Sequence, residues 1–193
     1  MNLDYPYRIV LASASPRRKM LLEQSGFKVE VRPSPAEEVI PPDYPVLEVP
    51  EYLAGLKLQP FKEMHKKGEV YIAADTVVIL NNKIYGKPLS RDNAVQMLKD
   101  FSGEMHQVVS GIALLSPNGK EVRFSETTNV YFSKLTDKLI ENYVDSYEPY
   151  DKAGSYAIQE AIGLLGIEKI EGCYYNVVGL PVNALNKHLQ SWV

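Results

Sequence analysis

Hydrophobic and polar positions along the chain change period several times, and each change marks an element. Arg8 to Ala12 (RIVLA) is a short apolar run, the pattern of a buried strand. Ser15 and Pro16 suit an N-cap and a first helical position, and Arg17 to Ser25 carry helix formers that stop at Gly26. Phe27, Val29 and Val31 alternate with Lys28, Glu30 and Arg32, which predicts a half-exposed strand. The Pro-rich stretch 33–50 is a loop longer than a compact domain keeps without a purpose. Helix resumes near Glu51 on Leu53, Leu56, Phe61 and Met64, with Pro60 expected to kink or divide it.

Val70 to Leu80 predicts a strongly apolar strand, turned by Asn81-Asn82 toward Ile84 and Tyr85. Ser90 caps an amphipathic helix to Phe101, lined by Ala94, Val95 and Leu98 and stopped at Gly103. Gln107 to Leu115 and Glu121 to Phe132 read as strands joined by Pro117-Asn118-Gly119. A helix follows over Thr136 to Val144, on Leu139, Ile140, Tyr143 and Val144. Leu164 to Ile170 reads as a last strand. Pro181 to Trp192 is the closing helix, with Val182, Leu185, Leu189 and Trp192 on one face. No repeat, low-complexity tract or linker divides the chain. The expectation is one mixed α/β domain over residues 1–193, with hairpins as well as crossovers.

Composition narrows the partners more than the fold. Of 193 residues 45% are hydrophobic and 23% charged, an ordinary globular balance. The net charge of −3 lacks the basic excess with which a protein displaces counterions from a nucleic-acid polymer. Any anion site is therefore a local cluster in a pocket, suited to a small phosphorylated ligand. Cys173 is the one cysteine, so no internal disulfide forms. No apolar run approaches the roughly 20 residues of a membrane span. The amino terminus, with Asp4 and Arg8 among prolines and tyrosines, lacks the apolar core of a signal peptide. A reducing cytoplasm is the expected address, with no membrane partner.

Ser13 to Arg18 (SASPRR) lie where the first strand passes into the first helix. Such a junction presents free N–H groups and the positive end of a helix dipole, and two serines and two arginines add donors. Solvated arginines on a capped helix are the plainer alternative, but cations there oppose the dipole. Asp75 interrupts the most apolar run of the chain, where a carboxylate loses solvation unless a cation, a metal or hydrogen bonds compensate. Lys57 in an apolar helix segment and Lys87 between Gly86 and Pro88 are each, alone, ordinary snorkelling or solvated lysines. Asp151, Lys152 and Gln159 form a weaker cluster. Glu37 or Glu38, set beside Asp75, would complete an all-oxygen site for Mg²⁺. His65, His106 and His188 show no metal-ligand spacing, and neither a Walker nor a dinucleotide fingerprint occurs.

Taken in order, Leu11–Arg18 (LASASPRR), Ala74–Val78 (ADTVV), Gly86–Pro88 (GKP), Ser102-Gly103 with His106, Asp151–Gly154 (DKAG) with Gln159, and Asn176–Pro181 (NVVGLP) resemble the Maf family across nearly the whole chain. The resemblance implies an α/β fold of two lobes flanking a central cleft, similar to inosine triphosphate pyrophosphatases. It implies hydrolysis of a nucleoside triphosphate to the monophosphate and pyrophosphate with a divalent cation, Mg²⁺ or Mn²⁺. The family's catalytic aspartate falls on Asp75, its loop glutamate on Glu38, and its lysines on Lys57 and Lys87. Ser13, Arg17, Lys57 and Lys87 take the phosphates, and Glu38 with Asp75 hold the metal. For Asp75, metal ligand and general base are competing roles. Arg17, Thr76 and Gln159 fall on the positions that sort substrates, in the combination of the dTTP/UTP branch. A homodimer is the family's common assembly. Leu58 and Glu160 depart from the pattern, which has alanine and a small residue there. The rival functions are a nucleotide-binding regulator of cell division with little turnover, and a phosphatase releasing single phosphates.

Overall fold

Parallel pairing of the first buried runs sets the frame. The structure is a computed structural model describing residues 5–193, so Asp4 lies outside the described residues. Strand β1 (Arg8–Leu11) pairs in parallel with β2 (Val29–Val31) and with β3 (Glu69–Leu80), Val10 standing opposite Glu30 and Tyr71. Parallel neighbours need crossovers, and α1 (Pro16–Gln24) and α2 (Val49–Glu63) supply them. Beyond β3 the chain turns back at Asn81 and Asn82 into β4 (Lys83–Tyr85), antiparallel to β3. Both asparagines have positive φ, 50° and 61°, as a two-residue hairpin turn requires. Then follow α3 (Arg91–Phe101), β5 (Met105–Leu115), β6 (Glu121–Phe132) and α4 (Asp137–Tyr147). A 3-10 turn at Ala153–Ser155, α5 (Ala161–Gly166), β7 (Ile167–Glu171), α6 (Tyr174–Val178) and α7 (Val182–Gln190) close the chain. Among the described residues seven strands form one mixed sheet, ordered β2-β1-β3-β5-β6-β7, with β4 on β3. The fold is mixed α/β.

Two compact units share the chain. The first holds the chain up to Asp75 together with Ser110–Glu126 and Gly179–Val193. Its core packs Ala54, Leu58 and Phe61 of α2 against Val10, Tyr71, Ala73, Ala113 and Leu115. Leu58 is fully buried in this core. Pro60 does not divide α2. Its missing N–H costs one helical bond, but only Phe61–Glu63 follow, and Phe61 anchors that last turn on Tyr71 with ring centroids 5.3 Å apart. Met64 caps the helix and is exposed, outside the expected stripe.

Gly111 on β5 is where the start of α2 comes closest. A Cβ there would fall 2.1 Å from backbone atoms of Pro50 and Glu51, which cannot swing aside. Gly111→Ala is expected to cost about 3 kcal/mol in urea unfolding. Gly55→Ala is the control: its Cβ meets only the Arg123 guanidinium, the far end of a flexible side chain, and a helical alanine gains up to about 1 kcal/mol over glycine. Equal behaviour of the two variants would contradict this packing.

The second unit holds Thr76–Val109 and Thr127–Val178. Here the expected last strand is corrected: Ala161–Gly166 are helical and β7 begins only at Ile167. The Glu160 carbonyl accepts the N–H groups of Gly163 and Leu164, which coils a run whose apolar letters read equally as a strand. Helix α6 carries no such period in the sequence. Buried Asn176 fixes it by donating to the Val108 carbonyl at 2.9 Å and to Thr128 Oγ1 at 3.0 Å.

His106 belongs to an aromatic core with Phe101, Phe132 and Tyr156, its Nε2 2.7 Å from the Tyr156 hydroxyl. Burial lowers its pKa from 6.5 to about 3. The unfolded chain therefore takes up a proton that the folded one refuses. Stability from this residue is complete above pH 6.5 and is lost as pH falls from there toward 3. Between about pH 6.5 and pH 5 the loss is roughly 1.5 kcal/mol. His106→Gln should flatten the denaturation midpoint over that range; an unchanged slope would show His106 to be uninvolved.

Candidate active site

Strand β1 ends at Leu11 and α1 begins at Pro16, so Ala12–Ser15 form the turn that the sequence marked for phosphate. Ser15 caps the helix, its side chain accepting the Arg18 N–H, and Pro16 takes the first position, where no N–H is needed. Ser13 is buried and its Oγ accepts the Ser15 N–H at 3.2 Å. The two arginines part company. Arg17 is half-buried at the helix start. Arg18 is buried, with Nη1 donating to Ser13 Oγ at 3.1 Å and to the Ala74 carbonyl at 2.8 Å, and Nε donating to the Gly179 carbonyl at 3.0 Å. Burial lowers the Arg18 pKa from its ordinary value, while the Asp75 charge opposes that shift. Of the two expected phosphate donors, Arg18 is thus a tie. It fastens the β1–α1 turn to the residue before Asp75.

Asp75 stands in the middle of β3, and its compensation is a lysine. Lys57 Nζ on α2 donates to Asp75 Oδ1 at 2.6 Å and lies 3.1 Å from Glu38 Oε2. The Lys57 and Asp75 side chains are 13% and 14% exposed, Glu38 48%. A carboxylate so enclosed needs a partner, and here a cation meets it directly. Apolar Leu53, Ala54 and Leu58 hold α2 on the core and present Lys57 from one place. Four expected residues, Ser13, Glu38, Lys57 and Asp75, thus belong to one neighbourhood of the first unit, joined through Lys57 and Arg18. Glu37 is exposed in the loop.

The carboxylates of Glu38 and Asp75 converge on a single ammonium. They are hard oxygen donors, and among the described residues no group of three or more His, Cys, Asp or Glu is placed to hold a metal ion. Two carboxylates without a closed protein cage fit Mg²⁺ or Mn²⁺, which complete their shell with phosphate oxygens and water.

The remaining expected residues lie in the second unit. Thr76 is half-buried on β3 directly after Asp75. Lys87 is exposed in the turn after β4, where the Gly86 carbonyl accepts the Gly154 N–H at 3.0 Å. Gln159 is exposed between the buried Ile158 and the half-buried Glu160. Sequence reasoning missed the partners of Glu160. Its carboxylate accepts the Tyr143 hydroxyl, and Lys152 Nζ lies 3.5 Å away. Lys152 is buried and also meets Asp151 at 2.7 Å. Tyr143 reads only as a helix-face residue, and nothing in its spacing announces these bonds.

Comparison with known proteins agrees over almost the full length. The family described as Maf-like protein matches residues 8–192. A dTTP/UTP pyrophosphatase from Bacteroides thetaiotaomicron is 42% identical over 190 residues, 98% of this chain and 97% of its own. One from Phocaeicola vulgatus is 44% identical, with the same coverage. The Staphylococcus aureus Ham1 protein, a solved structure, aligns at a TM-score of 0.45 and 17% identity, over 65% of this chain and 71% of its own.

Proposed function

Because the chain belongs to the Maf family, we propose that it is a nucleoside triphosphate pyrophosphatase acting on dTTP and UTP. The observation that carries the reading is the Arg18 tie, which sets an anion-receiving helix start beside a lysine-bound carboxylate. Ser13, Arg17, the N–H groups of the turn, Lys57 and Lys87 take the negative charge of the triphosphate. Asp75 keeps one oxygen on Lys57 and accepts the proton of the attacking water. The new P–O bond forms at the α-phosphorus as the bond to the leaving pyrophosphate breaks. Lys57 and Lys87 meet the charge that develops on that leaving group. Glu38, with Asp75 as the alternative to its proton-accepting role, would hold a divalent cation, Mg²⁺ or Mn²⁺, which would supply charge neutralisation at the phosphates. The family resemblance adds a cytoplasmic homodimer. Among the described residues no helix is long and apolar enough to cross a membrane.

Thr76 and Gln159 select the base on this reading. Uracil and thymine present an N3–H donor beside carbonyl acceptors, whereas cytosine presents an acceptor beside an amino donor. One held orientation of a Gln amide matches the first edge and mismatches the second. Gln159 is exposed without substrate; an amide covered by the bound base and left unpaired would support roughly ten- to hundredfold discrimination. The test is kcat/KM on dTTP, UTP, CTP and GTP, with pyrophosphate detected as product. Wild type should prefer dTTP and UTP, and Gln159→Ala should lose most of that preference over CTP. Uniform weakening on all four nucleotides would place Gln159 outside base recognition. Release of single phosphates would refute the reaction itself.

A further inference from the structure

Gln159 occupies the third position of a tight turn that begins at Ala157 and ends at Glu160, closed by the Glu160 N–H donating to the Ala157 carbonyl at 3.0 Å. Tyr143 of α4, itself buried, meets both ends of this turn with one oxygen. Its hydroxyl donates to the Glu160 carboxylate and accepts the Ala157 N–H at 3.3 Å. A phenol has one hydrogen to give and lone pairs to receive with, so both bonds form together while it stays protonated. Burial and the Glu160 acceptor raise the Tyr143 pKa far above its ordinary value, which keeps that state. Lys152, buried behind the pair, stands 3.5 Å from the second Glu160 oxygen. The charge at position 160 is thereby matched inside the protein.

We propose that Tyr143 and Glu160, backed by Lys152, are positioning residues that clamp the turn presenting Gln159 and so set pyrimidine selectivity. The proposal rests on the reading of Gln159 as the base-selecting residue. An amide on a loose turn can offer either its donor or its acceptor and so discriminates little. A turn fixed at both ends restricts the backbone from which the amide projects. The Tyr143 hydroxyl and the Glu160 carboxylate are engaged with each other, with the Ala157 N–H and with Lys152, so on this proposal their effect passes through Gln159. Glu160 acts as the carboxylate strut of this clamp.

Tyr143→Phe, Glu160→Ala and Glu160→Gln test this, each measured for kcat/KM on dTTP and CTP, for inhibition by pyrophosphate, and for amide hydrogen exchange across 155–165. Tyr143→Phe and Glu160→Ala should lower the dTTP-over-CTP ratio about tenfold. Pyrophosphate inhibition should stay unchanged, and exchange at the Ala157 and Glu160 amides should quicken. Glu160→Gln retains an acceptor for the Tyr143 hydroxyl and should recover most of the ratio. Should Tyr143→Phe fail to fold, the two Glu160 variants decide alone. An intact ratio in Glu160→Ala, or an equal loss on both nucleotides, overturns the proposal while leaving the Gln159 reading in place. An intact ratio in Gln159→Ala overturns both. Faster exchange with an unchanged ratio overturns it too, because the clamp would then hold the turn without setting selectivity.

Discussion

Asp75→Asn is expected to lower kcat/KM for dTTP by about a thousandfold, while the protein still folds and binds nucleotide. The substitution keeps the side chain's size and removes its charge and its power to take a proton, the loss expected of a removed general base. The remaining oxygen can still accept from Lys57, which lies 2.6 Å from Asp75 Oδ1 in the wild type, and Lys57 keeps Glu38 at 3.1 Å. The ammonium is therefore not stranded, which is the event that makes a broken buried pair costly. The melting temperature should move little. Steady-state kinetics beside calorimetric titration with a non-hydrolysable dTTP analogue separates the two effects. Turnover within a few-fold of wild type would remove Asp75 from the mechanism, and a misfolded variant would make it structural.

On the proposed reading, EDTA should abolish turnover and Mg²⁺ or Mn²⁺ should restore it. Glu38 and Asp75 place two negative charges against the one ammonium of Lys57, before any substrate enters. A triphosphate would add several more, a total that the one ammonium of Lys57 does not balance. Glu38→Gln should raise the Mg²⁺ concentration for half-maximal activity by at least tenfold, the order of effect expected for a lost ligand. Electron paramagnetic resonance of Mn²⁺, without nucleotide, should show the same weakening independently of turnover. Full activity in chelator, with metal content below stoichiometry, would remove the Glu38–Asp75 cation site.

The sheet was legible because its strands announce themselves twice, by apolar runs and by their turns. Asn81-Asn82 and Pro117-Asn118-Gly119 fixed the ends of β3 and β6 to within a residue. Helices α3 and α4 were equally plain, since Ser90 and Thr136 cap them as hydrogen-bond acceptors for Asn93 and Leu139. Failures came where tertiary contact overrides local preference. Pro60 suggests a break, but Phe61 pins the last turn. Leu164 and Leu165 suggest a buried strand, yet they sit exposed on α5. The candidate site divides the same way. Asp75 stood out because a carboxylate in an apolar run needs a partner, and Lys57 became that partner only through the packing of α2. Arg18 could not be told from Arg17 by sequence. What separates them is a set of carbonyls, Ala74 and Gly179, that lie 56 and 161 residues away.

The division of the chain has a practical consequence for protein engineering. The second unit is not a continuous insert but two stretches, Thr76–Val109 and Thr127–Val178, and β3, β5 and β6 each pass through a boundary. A chimera that borrows this unit from a homologue must exchange both stretches at once, through junctions after residues 75, 109, 126 and 178. Three of those four joints fall inside a paired strand, where a one-residue error in splicing would invert which side chains face the core. Grafts that keep β3, β5 and β6 whole and replace only the segments between them avoid that hazard. The second unit of this chain is thus better exchanged loop by loop than as a whole.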